Sequence, residues 1–221
     1  MDFSPLWISC KIAFSATLIT FVLGIFAAWG VGRANRARPF LDAVLSLPLV
    51  LPPTVVGFFL LLLFSRNAGV GKFLSAIGIN PLFTWGGGVF AATVVSFPVM
   101  YRTTRGAFEQ VDGTIIAAAR TLGMSEFHIF TKIMIPVSLP GIAAAVILSF
   151  ARALGEFGAT IMVAGNLPGK TQTMAVAIYT AMQGGNKALA LKWVLIIFAL
   201  SAVILLLMNL VTERFSKRRT A

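Results

Sequence analysis

Five separate apolar stretches constrain the fold of this chain more than any other feature of its sequence. Because an α-helix rises 1.5 Å per residue, about 20 apolar residues are needed to cross roughly 30 Å of hydrocarbon. The five stretches occupy residues 12–32, 43–64, 83–101, 139–163 and 191–211. Each is long enough to span a bilayer, so the sequence predicts an all-α integral membrane protein with about five transmembrane helices in one domain, 1–221.

The composition agrees with a bilayer environment. Of the 221 residues, 58% are hydrophobic and 11% are charged, whereas about a quarter of the residues in a soluble protein are charged. So few ionic side chains cannot cover a water-facing surface. The chain has one cysteine, Cys10, which excludes a disulfide-rich secreted module.

Lysine and arginine are distributed unevenly between the two ends of the predicted spans. Eleven of the 18 lie at one end and six at the other, and Arg152 lies inside the fourth span. The positive-inside rule makes the richer end cytoplasmic, so we expect the N-terminus outside and the basic tail 214–219 in the cytoplasm. Because these charges flank spans and form no stripe with interleaved aromatic residues, the sequence does not favour nucleic-acid binding.

Three prolines interrupt the second span. Pro48, Pro52 and Pro53 each remove a backbone hydrogen-bond donor. Carbonyl groups freed in this way must face protein or a water-filled cavity within a membrane. The pattern therefore predicts either a kinked helix packed against its neighbours or the lining of a cavity, and the sequence leaves both open.

The fourth span carries two charged residues, Arg152 and Glu156. A charge at the centre of a membrane helix costs about 2.5–3.5 kcal/mol on insertion scales, so both side chains are expected to face inward. Their i,i+4 spacing places them on one helix face, about one turn apart. They form either an ion pair that locks helix packing or a polar lining for a pathway at mid-membrane.

The segment 102–138 between the third and fourth spans is the longest on the cytoplasmic side, and it has the start and stop signals of helices. Asp112 is a predicted N-cap and Gly123 a left-handed stop for one short helix. Ser125 is a predicted N-cap for a second helix, whose continuation Pro136 should limit. The pattern predicts a compact helix-turn-helix beneath the membrane.

Apolar side chains on these two predicted helices need protection from water. They are Ile115, Leu122, Phe127 and Phe130. Such residues predict either a docking surface for a cytoplasmic partner or an interfacial amphipathic hairpin without a partner. The sequence does not decide between the two.

The short apolar segment 171–183 is not counted as a span. As a helix it would cover only about 18 Å. Counting it would also place the basic tail outside the cell. We therefore expect a re-entrant or interfacial helix on the outer face.

No catalytic or metal-binding constellation is evident in the sequence. His128 is the only histidine and Cys10 the only cysteine, so a histidine-based triad, zinc ligation or thiol redox chemistry lacks partners. Residues 164–171 fit a relaxed phosphate-loop pattern, but they follow a membrane span, and Pro168 removes one amide from any phosphate nest. The sequence predicts no intrinsic catalysis, no metal and no cofactor bound by this chain.

The loop residues follow a known family pattern. Ala117, Ala118 and Ala119 are followed by three residues, Gly123, nine residues and then Ile133, Met134, Ile135 and Pro136. This spacing resembles the EAA loop of ATP-binding-cassette (ABC) importer permeases, with alanine at position 117 and isoleucine at 135 where the family has glutamate and leucine. Residues 47–57, 150–160, 165–171 and 173–183 are similar to the molybdate branch of these permeases, and sulfate and thiosulfate permeases share much of 150–160.

The resemblance implies the permease subunit of an ATP-driven importer with a type I permease fold. The substrate would be molybdate or tungstate, with sulfate or thiosulfate as the alternative and an ATPase-independent anion channel as a further one. The implied partners are a second copy of the chain, two cytoplasmic ATPase subunits that use ATP and Mg²⁺, an extracellular oxyanion-binding protein and the lipid bilayer. The pathway would follow the two-fold axis of the homodimer.

Two sets of candidate site residues follow. The ATPase subunits would grip the coupling loop, 102–138, through Ala117, Ala118, Ala119, Leu122, Gly123, Ser125, Glu126, Phe127 and Pro136. A dianion should cross a path that is not strongly cationic, because tight binding would stall its release. The candidate pathway residues are Thr54, Ser96, Arg152, Glu156 and Thr160.

Overall fold

Helices form all the regular secondary structure in the part of the chain that the computed structural model describes, residues 2–34 and 36–217, with side chains to residue 210. The helices are α1 (Ser4–Gly32), α2 (Arg38–Val50), α3 (Pro53–Phe64), α4 (Gly69–Ala76), α5 (Trp85–Glu109), α6 (Gly113–Thr121), α7 (Glu126–Ile129), α8 (Ile135–Leu154), α9 (Gly158–Ala164), α10 (Met174–Gln183) and α11 (Lys187–Lys217). A π-helical segment, Phe130–Met134, joins α7 to α8. The predicted all-α class is confirmed, and the side chains of the predicted basic tail, 214–219, lie outside the described residues.

Three helical runs in the described residues are long and apolar enough to cross a membrane: Ser4–Gly32, Glu126–Leu154 and Lys187–Leu210. The bent pair α2 and α3 would make a fourth. The third predicted span, 83–101, lies in α5 except for its first two residues. The 25 residues of α5 extend over about 37 Å but are less apolar. Because α5 packs between α1 and α8, protein shields much of it from lipid, and it does not need a wholly apolar surface.

The second predicted span is two helices and not one. The axes of α2 and α3 meet at 107°. Leu51 and Pro52 between them are extended, with ψ of 140° and 135°, because a residue that precedes proline is disfavoured in the helical region. The predicted span over 43–64 is therefore broken rather than continuous, and Pro48 remains inside α2.

The fourth predicted span, 139–163, is displaced and divided. Its helix runs without interruption over Glu126–Leu154 and is followed, after a break, by α9. The prediction that Pro136 limits the second loop helix is wrong. Proline removes the N–H that would bond the carbonyl of Lys132, and its ring crowds that carbonyl, but the π-helical segment widens the preceding turn and lets the helix continue.

A short helix occupies the segment 171–183, as predicted. α10 has ten residues and packs against α11 and α1. Its first amide, that of Met174, donates a 2.8 Å hydrogen bond to Ser9 Oγ near the start of α1. α10 therefore lies at the end of the molecule that holds the N-terminus of α1. The fifth predicted span, 191–211, lies within α11.

Small and hydroxylated residues bring α1, α5 and α8 together. Ala13 of α1 and Ala92 of α5 are fully buried in one cluster, and residues of this size let membrane helices approach closely. Thr20 Oγ1 of α1 lies 3.2 Å from Ser149 Oγ of α8. Ser149 Oγ in turn lies 3.4 Å from the carbonyl of Ser96 in α5, which accepts its hydrogen bond. The three helices form one scaffold that positions the other elements.

Candidate functional site

The two helix breaks lie side by side. The break between α2 and α3 contacts the break between α8 and α9 closely because the positions at the contact are glycines, which have no side chain. A Cβ atom added to Gly57 would lie 2.7 Å from the Cα of Ala159, and one added to Gly158 would lie 3.1 Å from the amide nitrogen of Thr54. α3 and α9 therefore pack backbone to backbone, and the polar groups that the breaks free are gathered in one place inside the protein.

An ion pair bridges the second break. Arg152 lies in the last turn of α8, and its Nη1 donates to Glu156 Oε2 at 2.8 Å. The other carboxylate oxygen of Glu156 accepts from the amide of Ala159 at 2.8 Å, so Glu156 also caps α9. The Glu156 side chain is 2% exposed and that of Arg152 is 30% exposed. The i,i+4 spacing predicted the pair, whereas the cap could not be predicted without the helix break.

Arg152→Ala should destabilise the chain, and adding Glu156→Gln should restore much of the loss. The single change leaves an almost fully buried carboxylate without its partner, which costs about 3–5 kcal/mol. In the double variant the neutral amide of residue 156 can still accept from the amide of Ala159. The melting temperatures of the purified chains in detergent measure this, with Glu156→Gln alone as the control. A double variant that melts no higher than Arg152→Ala would contradict the expectation.

The structure places the candidate pathway residues in different surroundings. Thr54 is exposed at the first break. Thr160 is buried in α9, and its hydroxyl has no hydrogen-bond partner in the part of the chain that the structure describes. Ser96 is fully buried, and its hydroxyl donates to the carbonyl of Ala92 at 2.6 Å. Thr54 and Arg152 are therefore at least partly exposed on the isolated chain, while Ser96 belongs to the scaffold.

The helical loop has the caps that its sequence predicts. Asp112 Oδ1 accepts from the amide of Thr114 at 2.8 Å at the start of α6, and the hydrogen bonds from Thr114 hold the pKa of Asp112 below its usual value. Gly123 follows α6 with φ of 77°, in the left-handed region that favours glycine. Ser125 Oγ accepts from the amide of His128 at 3.3 Å at the start of α7. The two loop helices and the turn between them are present as predicted, but the second helix continues into α8.

Several apolar side chains of this loop are uncovered. Leu122 is 82% exposed, and Phe127 and Ile115 are also exposed. Phe130 is 2% exposed and stacks on Trp29 with the ring centroids 4.6 Å apart, so the expectation that it lacks protection is wrong. Of the predicted coupling residues, Ala117, Ala118, Leu122, Gly123, Ser125, Phe127 and Pro136 are exposed, and Ala119 and Glu126 are at least partly buried.

Ion pairs tie the loop to the membrane helices, and the sequence did not predict them. Glu126 at the start of α7 lies 2.6 Å from Arg120 of α6 and 3.3 Å from Arg33, just after α1. A second group joins α2 to the end of α5, and its members are Arg38, Asp42, Arg105 and Glu109. Only the fold brings these partners together, because most of them are distant in the sequence.

These features define a class of membrane protein. Broken helices meet inside a multi-pass helical body, and a helical loop at one end presents apolar residues outward. No group of three or more His, Cys, Asp or Glu residues within the described ranges could hold a metal ion. The chain belongs to the family of binding-protein-dependent transport system inner membrane components, whose family model matches residues 20–220.

Known relatives and solved structures agree with this assignment. The molybdenum transport system permease protein ModB of Escherichia coli K12 is 42% identical over 221 residues, 99% of this chain and 96% of ModB. The sulfate transport system permease protein CysT of Salmonella typhimurium is 36% identical over 207 residues, 93% of this chain and 75% of CysT. A bacterial ABC transporter involved in the import of alginate matches with a TM-score of 0.78 and 18% identity, over 96% of this chain and 79% of that chain. The last match concerns the fold alone, and it confirms the predicted ABC importer permease fold.

Proposed function

We propose that this chain is the membrane permease subunit of an ATP-driven importer for molybdate or tungstate. The observation that carries the proposal is the similarity to ModB, which extends over nearly the whole of both chains. A permease for sulfate or thiosulfate is the second candidate, because CysT is also similar over most of this chain. All of these anions carry two negative charges on a compact body, so the choice among them needs a direct test.

In this proposal ATP is hydrolysed by a separate pair of cytoplasmic subunits. They use ATP and Mg²⁺ and hold the loop through uncovered apolar side chains such as Leu122. A displacement of the loop would reach α1 through the contact of Glu126 with Arg33 and the stacking of Phe130 on Trp29. The membrane helices would then move as rigid bodies between inward-open and outward-open states.

The proposed orientation places the N-terminus outside the cell and the C-terminus in the cytoplasm. The coupling loop, the end of α1 and the start of α2 carry the arginine residues of the ion-paired end, and the positive-inside rule favours the cytoplasm for that end. The start of α1 and α10 lie together at the opposite end. An extracellular binding protein would deliver the anion there.

The pathway is proposed to run past the two helix breaks, along the two-fold axis of a homodimer. Thr54 supplies an exposed hydroxyl at this place, and the charge of Arg152 is offset by Glu156. A weakly cationic wall suits transport, because a dianion that is held tightly is not released. Selectivity among oxyanions would then rest mostly with the binding protein.

Uptake of labelled anions by the reconstituted complex tests the proposal. Liposomes that contain this chain with its ATPase and binding protein should take up molybdate and tungstate with ATP but not with ADP, and each anion should compete with the other. Excess sulfate should compete weakly. If sulfate competes with molybdate uptake as strongly as tungstate does, the second candidate is favoured. ATP-independent uptake by the chain alone would identify an anion channel.

A further inference from the structure

An apolar groove of about 490 Å³ runs along the seam between α1 and the helical run Glu126–Leu154. Every side chain that lines it is aliphatic or aromatic. On the α8 side it reaches from Phe130 to Ile147, a distance of about 25 Å along the helix. This is more than half of the roughly 30 Å hydrocarbon core of a bilayer.

A cationic pocket of about 170 Å³ lies beside the loop end of this seam, where α2, α5 and α6 also contribute to its lining. The charged residues that line it are Arg33, Arg38, Arg105, Arg120, Glu109 and Glu126. Asp42, which pairs with Arg105, offsets one further charge, and the group remains cationic. The Arg33 side chain is 42% exposed and has one ion-pair contact, at 3.3 Å to Glu126. Since a guanidinium has five N–H donors, Arg33 retains donors for a second anion.

Stacked aromatic rings form the boundary between the pocket and the groove. Trp29 lines the pocket, Phe130 lines the groove, and their ring centroids are 4.6 Å apart. The guanidinium of Arg33 lies 4.7 Å from the Trp29 ring centroid. Tryptophan with a neighbouring cation is typical of the depth at which lipid headgroups meet hydrocarbon. A molecule with an anionic head and an apolar chain could therefore occupy both cavities at once.

We propose that this seam binds an anionic phospholipid, with its phosphate at Arg33 and an acyl chain in the groove. The proposal is independent of which anion the chain transports. A second copy of the chain fits the seam less well, because a two-fold contact pairs the same patch of both subunits. Such a contact between two copies of the chain would bring two cationic pockets together in a protein of net charge +11. A lipid in the seam would contact both α1 and the start of the helical run Glu126–Leu154, which begins in the coupling loop.

Lipid retention by the purified chain tests the proposal. The delipidated chain in detergent is offered phosphatidylglycerol, phosphatidylcholine with the same acyl chains, or inorganic phosphate, and native mass spectrometry measures what is retained. Phosphatidylglycerol should be retained at least about fivefold better than phosphatidylcholine, and phosphate should not be retained. Arg33→Gln should weaken phosphatidylglycerol retention by about fivefold, and Ala143→Trp, which fills the groove, should abolish it. Lys11→Gln, near the start of α1, is the matched control and should retain the lipid normally.

Three results would overturn the proposal. The first is equal retention of the two lipids, and the second is normal retention of phosphatidylglycerol by Arg33→Gln. The third is normal lipid retention by Ala143→Trp, and loss of the dimer in that variant would then assign the groove to a second copy of the chain. Circular dichroism checks that each variant is folded. If Ala143→Trp does not fold, the lipid retention of Arg33→Gln tests the proposal.

Discussion

Replacing Gly57 with leucine should abolish uptake by the reconstituted complex and lower the melting temperature of the chain. A Cβ atom at Gly57 would stand 2.7 Å from the Cα of Ala159 and 2.9 Å from the Cβ of Met162. These atoms cannot turn aside as the end of a flexible side chain can, so α3 and α9 must separate. We expect a cost of about 2–3 kcal/mol and a fall of roughly 5–10 °C in melting temperature, measured on the purified chain in detergent.

Gly30→Leu is the matched control for this change. Gly30 also lies inside a helix, α1, but no atom of a neighbouring element lies within 4 Å of a Cβ atom added there. Because leucine favours the helix over glycine, this variant should keep its melting temperature and its uptake. Normal uptake by Gly57→Leu would show that transport does not need the close contact between the two breaks.

Local features explain why much of the fold could be predicted from the sequence. The length and composition of an apolar stretch are properties of neighbouring residues, and α1 and α11 contain the spans predicted over 12–32 and 191–211. Helix caps are local in the same way, since Asp112 and Ser125 bond amides two or three residues further on. The Arg152–Glu156 contact is also local, because its two residues are four positions apart in the sequence, although Glu156 lies in the break after α8 and not in the helix.

The helix breaks could not be predicted because they depend on contacts between distant segments. A proline in a membrane helix is compatible with a slight kink or with a complete break. At Pro52 the break is complete and brings α3 against α9, whose backbone contacts Gly57 closely. Phe130 looked unprotected for a similar reason, because Trp29, which covers it, is far away in the sequence. The roles of the coupling and pathway residues stay predictions.

Leu122→Asp should weaken the binding of the chain to its ATPase while leaving the chain folded. Leu122 follows α6 and is 82% exposed, so a carboxylate at this position stays in water in the isolated chain and should change its stability by less than about 0.5 kcal/mol. In the proposed complex the ATPase covers this position, and the charge would lose its hydration. Binding should weaken by about 2–4 kcal/mol, or roughly 30- to 1000-fold. Titration of the purified ATPase into the chain in detergent measures the affinity.

Ile77→Asp separates this effect from a general effect of charge. Ile77 follows α4, which packs against α3, and it too is an exposed apolar residue. The same change there should leave ATPase affinity unaltered, because no coupling contact is proposed at that position. Full affinity in Leu122→Asp would remove the loop from the proposed contact with the ATPase. Since the titration contains no transported anion, its outcome bears on the coupling loop whichever oxyanion the complex imports.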